Sequence, residues 1–111
     1  MIIFHLLPAV TWQAQDPMAP YQAATLATEG FIHCTREAER LVEVANRFYR
    51  QFLGEFVILW VETERLPAEV RWEKADGHLY PHVYGPIAQE AVVKVMPFPR
   101  NPQGQFLAFT D

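Results

Sequence analysis

The chain has 111 residues, a net charge of −4 with neutral histidines and 14% aromatic residues, a size and balance that give a single globular domain, residues 1–111, with one core. Its nine lysines and arginines are scattered, which excludes the basic face that nucleic acid requires as a partner. No apolar stretch approaches the roughly 20 residues that span a bilayer, and a single cysteine excludes an internal disulfide and suits a reducing compartment, the cytoplasm.

Residues 2–7 are an unbroken apolar run around His5, as in a strand covered on both faces. The run has no basic leader or small-residue cleavage site and reads as a first strand, not a signal peptide. Pro8 ends it. Thr11 caps a short helix from Trp12, which Pro17 and Pro20 confine. Residues 18–28 show no assignable period, with Tyr21 and Leu26 as anchors. Residues 30–34 form a buried central strand that stops at Thr35, the N-cap of a helix with Glu37 in its first turn. Ala38, Leu41, Val42, Ala45, Phe48, Tyr49 and Phe52 then recur at three- and four-residue steps, an amphipathic helix packed on a sheet, and Gly54 ends the helical region.

Residues 56–61 are β-branched and aromatic without alternation, a central strand. Residues 70–73 alternate, Asp76-Gly77 marks a turn, and Val83 and Tyr84 form a short strand. Residues 91–96 and 106–109 are the last strand candidates, separated by a loop that Pro97, Pro99 and Pro102 stiffen. The result is an α+β domain with a curved, mainly antiparallel sheet and one long helix packed on it.

The chemistry concentrates in two stretches, Glu29-Gly30-Phe31-Ile32-His33-Cys34-Thr35 and Leu79-Tyr80-Pro81-His82-Val83-Tyr84-Gly85-Pro86. His33 and His82 each sit beside a turn or cap among apolar strand residues, where an imidazole can orient a ligand or move a proton. Together with His5 they are expected to line one pocket; the competing reading is core histidines satisfied by carbonyls. Three histidines also raise a zinc site, but no His-Glu-x-x-His or one-turn pair is present. Cys34 lies near a helix start, as an activated thiol would, and equally suits a buried filler. N–H groups after Thr35 offer an anion site. Trp12, Phe31, Tyr80 and Tyr84 are candidates for stacking on a ligand ring, with core packing as the alternative. Glu29, Glu62, Glu73 and Asp76 lie near strand ends without forming an evident pair. Serine is absent, which excludes a serine-nucleophile hydrolase.

These two stretches resemble the hallmarks of a bacterial family, domain of unknown function 952: a first-strand histidine (His5), a Trp-x-x-Ala helix start (Trp12, with Gln15 replacing alanine), an EGFIHCS-like strand (residues 29–35, with Thr35 for serine), an Ala-Asn pair (Ala45-Asn46) and a PHLYGPL-like segment (residues 81–87). The resemblance covers nearly the whole chain, apart from residues 18–21, where a glycine common before the tyrosine is missing. The family is similar to the ADP-ribosyltransferase-like fold, a split antiparallel sheet that binds NAD in its cleft. By that resemblance His5, the 31–35 segment and His82 take the three site positions. His82 stands where those domains usually carry a glutamate.

The resemblance implies an enzyme acting on NAD or an ADP-ribose-like, nucleotide-derived small molecule, with NAD as substrate and not as resident cofactor. His5, His33 and His82 are its catalytic candidates, and Trp12, Phe31, Thr35, Tyr84 and Gly85 its ligand-binding ones. The alternatives are a non-catalytic module that binds a nucleotide or a partner, and a histidine-ligated zinc site.

Overall fold

A computed structural model describes residues 1–110. Strand β1 (Ile2–Pro8) runs directly into helix α1 (Ala9–Gln13), and α2 (Ala24–Glu29) leads to the two-residue strand β2 (Ile32–His33). Helix α3 (Ala38–Phe48) is followed by β3 (Phe56–Glu62), the hairpin β4 (Glu69–Ala75) and β5 (His78–Tyr84), and β6 (Val92–Pro97).

The alternation along β1 generates two cores. Ile3 and Leu7 face one way, with Leu59, Val61, Ile32, Val83, Tyr21 and Ile87. Phe4 faces the other way, toward Leu41 and Ala45 of α3 and Phe98, Phe106 and Phe109 of the C-terminal segment. Each face of this first sheet, ordered β1-β3-β6, therefore has its own cover. The second sheet is ordered β2-β5-β4, and every ladder in both sheets is antiparallel. One backbone exchange joins the sheets and a second ties two loops beside them. Phe4 and Thr35 swap hydrogen bonds of 2.7 and 2.8 Å, and Tyr21 and Ile87 swap bonds of 2.8 and 2.9 Å.

The domain is α+β with antiparallel sheets, as expected, but several local expectations are corrected. Helix α1 starts at Ala9 with Pro8 as its N-cap, so Thr11 lies inside it. The expected five-residue strand at 30–34 shrinks to Ile32–His33, because Gly30 (φ 86°) is the left-handed C-cap of α2. Thr35 is pinned to Phe4 by both backbone groups, and Glu37 holds the N-cap position of α3 without a side-chain bond. The long helix is only 11 residues. The apolar period runs past its end, and Phe48 and Phe52 are more than half exposed.

Residues 106–109 form no strand. Asn46 grips the backbone of Phe106 instead, accepting from its N–H at 2.7 Å and donating to its carbonyl at 3.0 Å. Arg100 performs a similar task after α3: its guanidinium donates to the carbonyls of Tyr49, Arg50, Phe52, Gly54 and Gly104. Apart from the C-cap Tyr49, these carbonyls belong to the loop after α3 and to the 100–104 turn, so the arginine ties two loops together. A hollow of about 630 Å³ surrounds that latch and is lined by no histidine.

Candidate functional site

The two-residue turn Asp76-Gly77, with φ of 51° and 80°, is a tight hairpin that sets the register of β4 on β5. Arg71 then lies opposite His82, Glu73 opposite Tyr80, and Glu69 opposite Tyr84. Cross-strand partners share a face, so these side chains project together. On the other side of β5, His33 lies directly opposite His82. The two imidazole centroids are 5.2 Å apart, and Phe31 stacks on His82 at 4.2 Å.

Each of these histidines has a carboxylate partner. His82 Nδ1 is 2.8 Å from Glu73 Oε1, and a carboxylate can only accept, so Nδ1 carries the proton. Nε2 of His82 has no hydrogen-bond partner among the described residues, and the residue lines a cavity of about 340 Å³. Glu73 also accepts from the Tyr84 hydroxyl at 2.5 Å. These bonds, Tyr84's foremost and then His82's, hold the Glu73 carboxyl below the usual range and raise the Tyr84 phenol. His33 Nε2 faces Glu29 Oε2 at 3.3 Å, near the cavity mouth, where both are about half exposed.

His5 sits lower and has no free valence. Its Nδ1 lies 2.7 Å from the carbonyl of His33, and its Nε2 lies 2.9 Å from the Tyr21 hydroxyl. Nδ1 must donate to the carbonyl, so Nε2 accepts from Tyr21. Burial pushes the pKa of His5 down to about 4 and that of Tyr21 up, keeping both neutral near pH 7. His5 lines a second cavity of about 300 Å³, which shares Thr25, His33, Thr35, Val44 and Tyr49 with the first. The two cavities form one cleft between the sheets and α3. Thr35 lines both parts, is only 4% exposed, and its hydroxyl has no partner among the described residues.

The sequence model of the family described as "Protein of unknown function (DUF952)" matches residues 6–95. The chain belongs to that family. Among solved structures, this DUF952 chain is similar to the crystal structure of protein CC0527 from Caulobacter crescentus, with a TM-score of 0.81, 26% identity, and coverage of 96% of this chain and 94% of that one. The solution structure of CC0527 is similar at a TM-score of 0.73 and 27% identity, covering 93% and 89%. No curated protein matches the chain.

The structure thus gathers His5, His33, His82 and Thr35 at one cleft, with His5 locked. Phe31 is spent on the imidazoles and on Tyr84. Trp12 packs on Tyr21 in the core. Tyr84 serves Glu73, and Arg71 lies over its ring at 4.2 Å. Gly85 is required by packing, because a Cβ there would stand 2.8 Å from Ala68 Cβ. Cys34 is buried, and burial raises its thiol pKa, opposite to an activated nucleophile. Among the described residues no group of three or more His, Cys, Asp or Glu is placed to hold a metal ion. Glu73 is the residue that sequence patterning leaves unassigned. The Asp-Gly signal, read as a two-residue hairpin, places it on the face of His82.

Proposed function

We propose that this cleft is the active site of an enzyme for nucleotide-derived small molecules of the NAD and ADP-ribose class, with His82 moving the proton. The observation that carries the reading is the Glu73–His82 pair. The carboxylate fixes one tautomer and leaves Nε2 as the open basic nitrogen, the arrangement that general-base catalysis uses. The resemblance to ADP-ribosyltransferase-like domains supports the substrate class, since β1, the 31–35 segment and β5 border one cleft here. In the reaction the C1′–N bond of a cationic N-glycoside breaks and its electron pair leaves with the heterocycle, which becomes neutral. Water or an acceptor hydroxyl forms the new C1′–O bond and gives its proton to His82 Nε2. Glu29 supplies negative charge at the rim for the electron-poor carbon, and His33 holds its orientation.

Thermal denaturation with NAD, ADP-ribose and nicotinamide, on the native chain and on His33→Ala/His82→Ala, tests the site. A ligand at 100 times its Kd adds roughly 2.7 kcal/mol. The expected result is a shift with NAD that the double variant loses, followed by release of nicotinamide on chromatography. A shift that survives in the double variant would sink the assignment. The locked His5 favours a second reading, a binding module without chemistry; saturable binding with no product would select it.

A further inference from the structure

Charge in the cleft narrows the ligand further than its fold does. No lysine or arginine lines the cavity that holds His33 and His82, and the cavity over His5 is lined by no charged residue of either sign. Glu29 and Asp76 line the first, and Glu73 stands behind His82. Two arginines come near this rim, and each is held by a carboxylate: Arg47 by Asp76 at 2.9 Å, and Arg71, across the strand pair from His82, by Glu69 at 2.7 Å. Both imidazoles already face carboxylates, so even when protonated they bring no excess positive charge. The helix start that borders the cleft, Ala23 to Thr25 of α2, belongs to a helix of only six residues, too short for an appreciable macrodipole, and the start of α3 carries Glu37 at its N-cap and Glu39 in its first turn. A diphosphate placed here would lose its hydration with no cationic side chain in return. Thr35 lines both cavities, and its hydroxyl, which has no partner among the described residues, is a group suited to an uncharged hydroxyl or amide.

We infer that the cleft takes the cationic N-glycoside end of such molecules, a heterocycle carrying positive charge through its bond to ribose, that Glu29 selects it, and that phosphate groups remain outside and contribute nothing to binding. The inference rests on the reading of the cleft as a nucleotide-class site and says which part of the nucleotide it reads. It also accounts for an acidic rim beside a basic nitrogen: the carboxylate favours the cation, and the imidazole works on its neutral attacking partner.

The test is calorimetric titration of the full chain with nicotinamide riboside, its uncharged dihydro form, NAD, ADP-ribose and inorganic pyrophosphate. The expected order places nicotinamide riboside level with NAD and well above the dihydro form, with ADP-ribose and pyrophosphate silent. Glu29→Gln should reduce the preference for the cation over its dihydro form about three- to tenfold. A merely structural loss would weaken both compounds equally and leave that ratio unchanged, which overturns the role of Glu29. ADP-ribose or pyrophosphate binding as tightly as NAD overturns the charge inference while keeping a nucleotide site. Silence from every compound overturns both. Cation-selective binding without nicotinamide release supports the inference and removes the enzymatic reading.

Discussion

At the scale of single residues, the hydrogen-bond partners separate groups able to react from groups able only to hold. Glu73→Gln puts an amide against His82 that can donate to Nδ1 and so reverse the tautomer. Turnover should fall by a factor of about 10²–10⁴ with little change in KM. Product formation at the native rate in that variant would remove Glu73 from the mechanism. His5 gives a pH prediction with a definite sign. Its pKa is about 4 when folded and 6.5 when unfolded, so between those values only the unfolded chain holds the extra proton. Stability is therefore full above pH 6.5 and falls by about 3 kcal/mol as the pH drops to 4. Urea denaturation across that window should show the loss in the native chain and a flatter curve in His5→Gln. Parallel curves would contradict a neutral, buried imidazole. The histidines themselves stood out in the sequence, but their partners did not: Glu73 and His82 meet through strand register, and Glu29 reaches His33 only because α2 ends where it does.

At the scale of elements, composition revealed strands better than ends. The apolar runs around His5 and Leu59 became β1 and β3 because both of their faces are covered. Helix α2 escaped notice because none of its residues is buried and no side chain caps it, which leaves no periodic signal to read. The period of α3 misled in the opposite direction. Phe48 and Phe52 continue the apolar spacing, while the chain leaves the helix at Tyr49 and passes into the grip of Arg100. Arg100→Ala strips partners from carbonyls at Tyr49, Arg50, Phe52, Gly54 and Gly104 together. The expected cost is about 2–4 kcal/mol. Chemical denaturation measures it, and amide exchange should quicken first in the last turn of α3. A loss below about 0.5 kcal/mol would mean that water replaces the latch without penalty.

At the scale of the whole molecule, two sheets with separate orders meet at a narrow seam, and the cleft lies where they part. Across its mouth Arg47 of α3 reaches the hairpin tip at Asp76, both residues being largely exposed. Such a pair contributes at most about 1 kcal/mol, so Arg47→Ala should leave the melting temperature nearly unchanged. It should also free Asp76 to attract a cation, so that nicotinamide riboside associates faster at low salt and more salt-sensitively than with the native chain. Stopped-flow mixing at two ionic strengths checks this, and an unchanged rate would show that the pair does not guard the entrance. The α+β class was legible in the alternation of strands and one amphipathic helix. A split sheet was implied only by the family resemblance, and the bridge of Thr35 to Phe4 that joins the two sheets is a contact that no local pattern encodes.

That pairing has a consequence for how the family can diverge. The exchange Phe4–Thr35 is made by main chain alone, so the point where the sheets touch works as a gauge that does not depend on which side chains stand there. The Caulobacter protein keeps the fold at 26% identity. Substitution on the banks can therefore retune what the opening admits by charge or polarity, while its calibre stays a property of the backbone.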